Sequence, residues 1–239
     1  MCTLVLLLRR DSLLAVSGNR NELLSRPSSG PRIENGILAP RDELAHGSWL
    51  GLNRHGLFAC VTNRHGAMVD PARKSRGLLV LEALQANSAR GLRQALGELR
   101  GDRHNGFHFV YSDLADAFVT WSDGVEVRHA PLEPDRVHVI TERSFGAGEG
   151  EREASVARAF ADLGPDVRAW RVPMTAHAPQ PLESACVHAD AVGYGTRSSF
   201  QLVLEKNKVA ALWTEGHPCT NPASDLGPLA AEVLGRKST

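Results

Sequence analysis

The first two dozen residues constrain the fold more than any other stretch. Met1 to Arg26 reads MCTLVLLLRRDSLLAVSGNRNELLSR. An apolar run from Thr3 to Leu8 and a second from Leu13 to Ser17 flank the polar turn Arg9-Arg10-Asp11-Ser12. Neither run alternates with polar residues, which predicts a β-hairpin whose strands are covered on both faces. Such a hairpin brings Asn19, Arg20, Asn21 and Glu22 beside the start of the chain.

What begins there is chemically distinctive. Removal of Met1 leaves Cys2 carrying a thiol and a free amine on one residue, and a side chain as small as cysteine permits that removal. A thiol attacks carbonyls as the thiolate, and a neutral α-amine can accept its proton. Unperturbed values of about 8.5 for the thiol and about 7.7–8.0 for the amine allow exchange near neutrality. Cys2 is therefore a candidate nucleophile with its base built in; the plain alternative is a cysteine at position 2 by accident.

Composition narrows the setting. At 239 residues and 42% hydrophobic content the chain is expected to form one domain, with a Pro-rich tail from about residue 216. Twenty-seven basic and 27 acidic residues balance to zero, which argues against nucleic acid or anionic membrane as partners. The four cysteines, Cys2, Cys60, Cys186 and Cys219, form no CxxC pair, which argues against a zinc site and a disulfide framework. A reducing cytoplasm is the expected home. Leu4–Leu8 is too short for a signal sequence, and no stretch reaches membrane-spanning length. The ten histidines lack helical metal spacing, so no metal site is predicted; haem held through a single histidine stays open.

Along the chain, Arg26–Arg41 is rich in Pro, Ser and Gly and reads as a loop, either a lid over the terminus or a solvated connection. Ser48–Asn53 and Leu57–Asn63 read as strands around Arg54-His55-Gly56. Ser75–Ala86 and Ser88–Leu99 read as helices with serine N-caps. Phe107–Ser112, Ala117–Ser122, Val125–Ala130 and Val137–Thr141 read as strands. A helix is expected over Glu149–Leu163, then a loop from Pro173 to Pro181. Ser184–Val187, Phe200–Glu205 and Lys208–Thr214 read as strands, and Pro228–Leu234 as a short helix. Two stacked antiparallel sheets with helices outside satisfy this order, a plain α+β domain being the fallback.

Several motifs run in register with a known family. Cys2, Asn19-Arg20-Asn21-Glu22 with Ser25-Arg26-Pro27, Gly47-Ser48-Trp49-Leu50-Gly51, Thr62-Asn63, Ser75-Arg76-Gly77 and Tyr194–Ser199 together resemble the NRDE, or transport-and-Golgi-organisation, family. That family is similar to the N-terminal-nucleophile hydrolases. Two positions depart from its pattern: the signature aspartate is Asn21 here, and Val139–Phe145 lacks a Ser-Asn pair. The resemblance implies an α+β fold, a four-layer αββα sandwich. It implies amide-bond hydrolysis or acyl transfer on a small molecule, with Cys2 as nucleophile, Arg20 stabilising the thiolate and Asn63 donating to an oxyanion or merely capping a strand. Asn19, Asn21, Glu22, Trp49, Arg76, Arg197 and Ser198 are the expected substrate-binding residues. No cofactor is required. The other class it implies is a non-catalytic protein handling haem or acyl-coenzyme A lipids.

Overall fold

The computed structural model describes residues 2–148 and 150–236. The opening hairpin forms as predicted, β1 (Cys2–Arg9) pairing antiparallel with β2 (Leu13–Leu23). The expected loss of Met1 lies outside the described residues. Both apolar runs are buried on both faces because they sit in the middle of a four-layer stack. Leu4, Leu6, Leu8, Leu14 and Val16 face a second sheet, while Val5, Leu7 and Ala15 face helices.

The region expected to be a loop after Arg26 is instead a hairpin, β3 (Ser28–Glu34) and β4 (Ile37–Asp42). Its turn is Asn35-Gly36, both at positive φ of 52° and 74°, the backbone that a two-residue hairpin demands. The strand signal is weak because β3 is an edge strand, partly exposed along its length, with a register shift between Ser29 and Arg32 that accommodates Pro31.

The second sheet continues through β5 (Leu50–Asn53), β6 (Phe58–Asn63), β7 (Phe107–Ser112), β8 (Ala117–Ser122) and β9 (Val127–Pro131), in chain order from β3. Between β6 and β7 lie α1 (Arg76–Ala83) and α2 (Ala89–Ala95), capped by Ser75 and Ser88 as expected. Their apolar faces cover this sheet through Leu79, Val80, Ala83 and Leu92 against Leu57, Val61 and Phe109.

The next strand, β10 (Val137–Thr141), leaves that series and crosses to pair with β1. The helix that follows is α3 (Glu151–Phe160); Glu149, the expected start, lies outside the described residues. A further helix, α4 (Val167–Arg171), was not expected from sequence; Asp166 caps it, and it seats Trp170 against Phe160 at 5.1 Å. Short 3-10 turns interrupt the loop Pro173–Pro181 and its end. Ser184–Val187 is not a strand. The pairing there is confined to β11 (His188–Ala189) against β12 (Tyr194–Glu205), which extends six residues earlier than the apolar run alone indicated. The chain ends with β13 (Val209–Glu215), β14 (Ser224–Asp225) and α5 (Gly227–Val233).

The first sheet thus has the order β10-β1-β2-β12-β13-β14, with β11 on the β12 edge. Phe58 and Phe200 stack between the sheets at 6.1 Å. Leu226, Ala230 and Val233 close the core where β13 and β4 splay. Helix, sheet, sheet and helix give the αββα sandwich, each layer burying the apolar side of the next.

Candidate active site

The site grows from one pairing. Cys2 opposes Arg20 across β1 and β2, and by strand alternation both project between the sheets with Leu4 and Gly18. Trp49 lies just before β5, and the Arg20 guanidinium is 4.2 Å from its ring centroid, a cation–π arrangement. Glu22 and Asp42 carboxylates lie 3.9 and 3.8 Å from the same guanidinium. Burial pushes the Arg20 pKa down, and the Cys2 thiolate, Glu22 and Asp42 act in the opposite sense. One of its nitrogens, Nη1, is buried with no hydrogen-bond partner. An unsatisfied buried donor is costly.

Beside this pair is a cleft of about 180 Å³. Cys2, Arg20, Asn21, Glu22, Trp49, Asn63 and Arg76 all line it. The far wall exists because two backbones touch. Ser48 N–H donates to the Gly77 carbonyl at 3.0 Å, and a Cβ on Gly47 would sit 2.4 Å from the Gly77 carbonyl carbon. The glycines of the two motifs therefore bring the start of α1, with Arg76, against the segment carrying Trp49. Burial pushes the Arg76 pKa down, while the Cys2 thiolate and then Glu22 raise it; Arg76 Nη1 also donates to the Gly106 carbonyl at 2.9 Å. Asn63 sits exposed at the end of β6, on the rim.

Other predicted residues fall elsewhere. Asn19 faces the helix side, its Nδ2 donating to the Met174 and Ala185 carbonyls, both at 2.8 Å. The Asn21 side chain faces the same way, its Oδ1 accepting from Thr196 Oγ1 at 2.7 Å, so its contribution to the cleft wall is from the backbone side. Asn19 and Ser198 border a smaller apolar chamber of about 10 Å³ between the sheets, shared with Cys2, Cys60 and Phe200. Arg197 does not line the cleft. Its Nη1 donates to the Leu24 carbonyl at 2.6 Å, because the register shift between Thr196 and Ser198 turns it toward the β2–β3 connection. Its role is to hold that connection.

Sequence reading missed Arg26, Asp42, Asp70, Arg73 and Lys74, which also border the cleft. Arg26 and Asp42 pair at 2.8 Å across the unexpected hairpin. The Asn35-Gly36 turn was the available signal for that hairpin. Five cations, Arg20, Arg26, Arg73, Lys74 and Arg76, then stand against three carboxylates, Glu22, Asp42 and Asp70. Counted over these lining groups the cleft carries an excess of positive charge, with Lys74 itself paired to Glu82, in a chain that has no net charge overall. Cys60 is buried, and burial followed by the nearby Cys2 charge raises its thiol well above the ordinary range. Cys60 therefore stays protonated, and Cys2 is the thiol available to a ligand in the cleft.

Comparison with known proteins agrees with this architecture. An N-acylethanolamine-hydrolyzing acid amidase ortholog from Caenorhabditis elegans superimposes with a TM-score of 0.59 at 12% identity, over 85% of this chain and 92% of that one. A variant of a conjugated bile acid hydrolase from Clostridium perfringens gives 0.56 at 11%, over 99% and 95%. A penicillin V acylase from Agrobacterium tumefaciens gives 0.51 at 13%, over 100% and 89%. The fold is that of the N-terminal-nucleophile hydrolases. No helix among the described residues is long and apolar enough to cross a membrane. A search of the curated proteins finds no match. The sequence profile of Transport and Golgi organisation 2 matches residues 1–162, and the chain belongs to that family.

Proposed function

We propose that the protein is a cysteine N-terminal-nucleophile enzyme that cleaves or transfers the acyl group of a small amide. The observation that carries this reading is Cys2 paired across the strands with Arg20, both lining one cleft. With Met1 removed, the Cys2 α-amine takes the thiol proton. The sulfur forms a bond to the substrate carbonyl carbon, and the oxyanion is met by Arg20 and by an amide N–H of Asn63. The C–N bond breaks, and the leaving amine takes the proton from the α-ammonium. Water then attacks the thioester, giving the carboxylic acid and restoring the thiol. Removing one oxyanion donor of this kind typically costs on the order of 10²–10³ in rate.

The surplus of cations favours substrates or leaving amines that carry a carboxylate or phosphate. The experiment joins intact mass with turnover. The expected result is a chain lacking Met1, an acyl adduct on Cys2 with an activated acyl amide, and loss of both in Cys2→Ala. Retention of Met1 in most molecules, or turnover that survives Cys2→Ala, refutes the reading.

A second reading, a non-catalytic protein handling acyl-coenzyme A or haem, draws on the same positive charge. Sites that enclose drug-sized ligands run to about 300–1,000 Å³, so a cleft of about 180 Å³ takes only the end of such a molecule. Among the described residues lining the cleft there is no histidine, which leaves the Cys2 sulfur as the haem ligand. Saturable acyl-coenzyme A binding that survives Cys2→Ala, or haem binding that Cys2→Ala abolishes, in either case without turnover, would favour this class.

A further inference from the structure

Behind the wall that carries Asn21, two loops bring together residues that local spacing had kept apart. Cys186 and His188 lie just before β12, His177 precedes them, and Cys219 follows β13. One ligand atom from each of these four lies within 4.8 Å of all the others. The two sulfurs are 3.5 Å apart, and His188 Nε2 lies 3.1 Å from Cys219 Sγ and 3.7 Å from Cys186 Sγ. For metal bonds of about 2.3 Å to sulfur and about 2.0–2.1 Å to nitrogen, the edges of a tetrahedron run from about 3.3 to about 3.8 Å. The three separations among Cys186, His188 and Cys219 approximate those edges, and His177 lies within 4.8 Å of each. The expectation against zinc rested on the absence of CxxC, a rule about neighbours in sequence rather than in space.

A fifth group, His217, packs against this cluster. His217 stacks on His188 at 3.8 Å, and its buried Nδ1 has no hydrogen-bond partner. Gly195 leaves the room that this imidazole fills, since a Cβ there would come 2.8 Å from His217 Cε1.

We propose that His177, Cys186, His188 and Cys219 bind one zinc-class divalent cation in a closed tetrahedral site. Two thiols release their protons to solvent on binding, and two thiolates with two neutral imidazoles neutralise the charge of the ion. Four protein ligands leave no open position, so the site is structural. It also reaches the cleft. Val187, between two ligands, donates its N–H to Thr196 Oγ1 at 2.8 Å, and Thr196 in turn donates to Asn21 Oδ1. The ion would fix the loop that buttresses the residue next to Arg20.

The test uses the full chain, reduced, stripped with a chelator and titrated with Co²⁺ and then Zn²⁺. One Co²⁺ per chain is expected, with a tetrahedral d–d spectrum and thiolate-to-cobalt charge transfer, displaced by Zn²⁺. Cys2→Ala should leave the spectrum unchanged. Cys219→Ser, on a half-exposed turn, should weaken binding at least tenfold and lower the charge-transfer intensity; it keeps the test decisive if Cys186→Ser does not fold. Zinc should also raise the melting temperature of the parent chain and not that of Cys219→Ser. A folded, reduced chain that takes up no Co²⁺ overturns the proposal. So does an octahedral spectrum indifferent to Cys219→Ser, or a Cys186–Cys219 disulfide that persists after reduction.

Discussion

Arg20→Gln removes the cation that faces Cys2 across the strand pair. The strand register sets Arg20 opposite Cys2, and opposed residues on one face carry Cβ atoms about 4.5–5.5 Å apart. Unit charges roughly 6 Å apart at an effective dielectric of about 20 interact by about 3 kcal/mol. Cys2 is partly exposed, and taking solvent screening to remove roughly half of that leaves about 1.4 kcal/mol, a factor of about ten. The rate constant for alkylation of Cys2 by iodoacetamide at neutral pH, followed by peptide mass spectrometry, should therefore fall about tenfold. Cys60 serves as the internal control, because its buried thiol should stay unreactive in both proteins. Arg20→Lys keeps the charge without the planar stacking on Trp49, and should recover most of the rate. Arg20→Gln should also destabilise the fold by about 1–3 kcal/mol, since Glu22 and Asp42 lose the cation between them. A folded Arg20→Gln protein that alkylates at the parent rate would make Arg20 a purely structural residue, and the site as drawn would be wrong.

Two further outcomes test the frame around the site. His108 is fully buried, and burial and then the Arg64 guanidinium push its pKa down to about 4. Arg64 Nη1 approaches His108 Nε2 at 3.0 Å, which suits a neutral ring accepting there. Below about pH 6.5 the unfolded chain takes up a proton that the native ring refuses, so stability should fall with pH from about 6.5 to about 4, by about 3 kcal/mol in all. His108→Gln should flatten that part of the urea-midpoint profile; an equally steep profile in the variant refutes the assignment. Gly47→Ala drives a Cβ into the Gly77 backbone and should cost about 1–3 kcal/mol while displacing Arg76 from the cleft. An unchanged denaturation midpoint would mean that the Gly47–Gly77 contact does not hold the wall.

What the sequence by itself determined was local. The opening hairpin follows from two apolar runs around a polar turn, and that pairing alone puts Arg20 opposite Cys2. Serine caps at Ser75 and Ser88 are legible because a capping side chain bonds to an amide two or three residues ahead. The β3–β4 hairpin was hidden because an edge strand buries too little to show a period, leaving only the Asn-Gly turn to announce it. The tertiary structure decided the rest. Strand β10 pairs with β1 rather than with its sequence neighbour β9, taking the free edge of the opening hairpin and packing Val137 and Val139 against the helix-side core. Arg197 shares a motif with Ser198 yet turns out of the site, since one register shift rotates it away. The cations of the cleft come from β2, the β2–β3 connection, the segment before α1 and the first residue of α1, so their convergence depends on which faces the two sheets bury against each other. The convergence of His177, Cys186, His188 and Cys219 has the same origin: spacing along a chain reports only neighbours within a helical turn or a strand pair, and these loops meet because β12 and β13 return antiparallel.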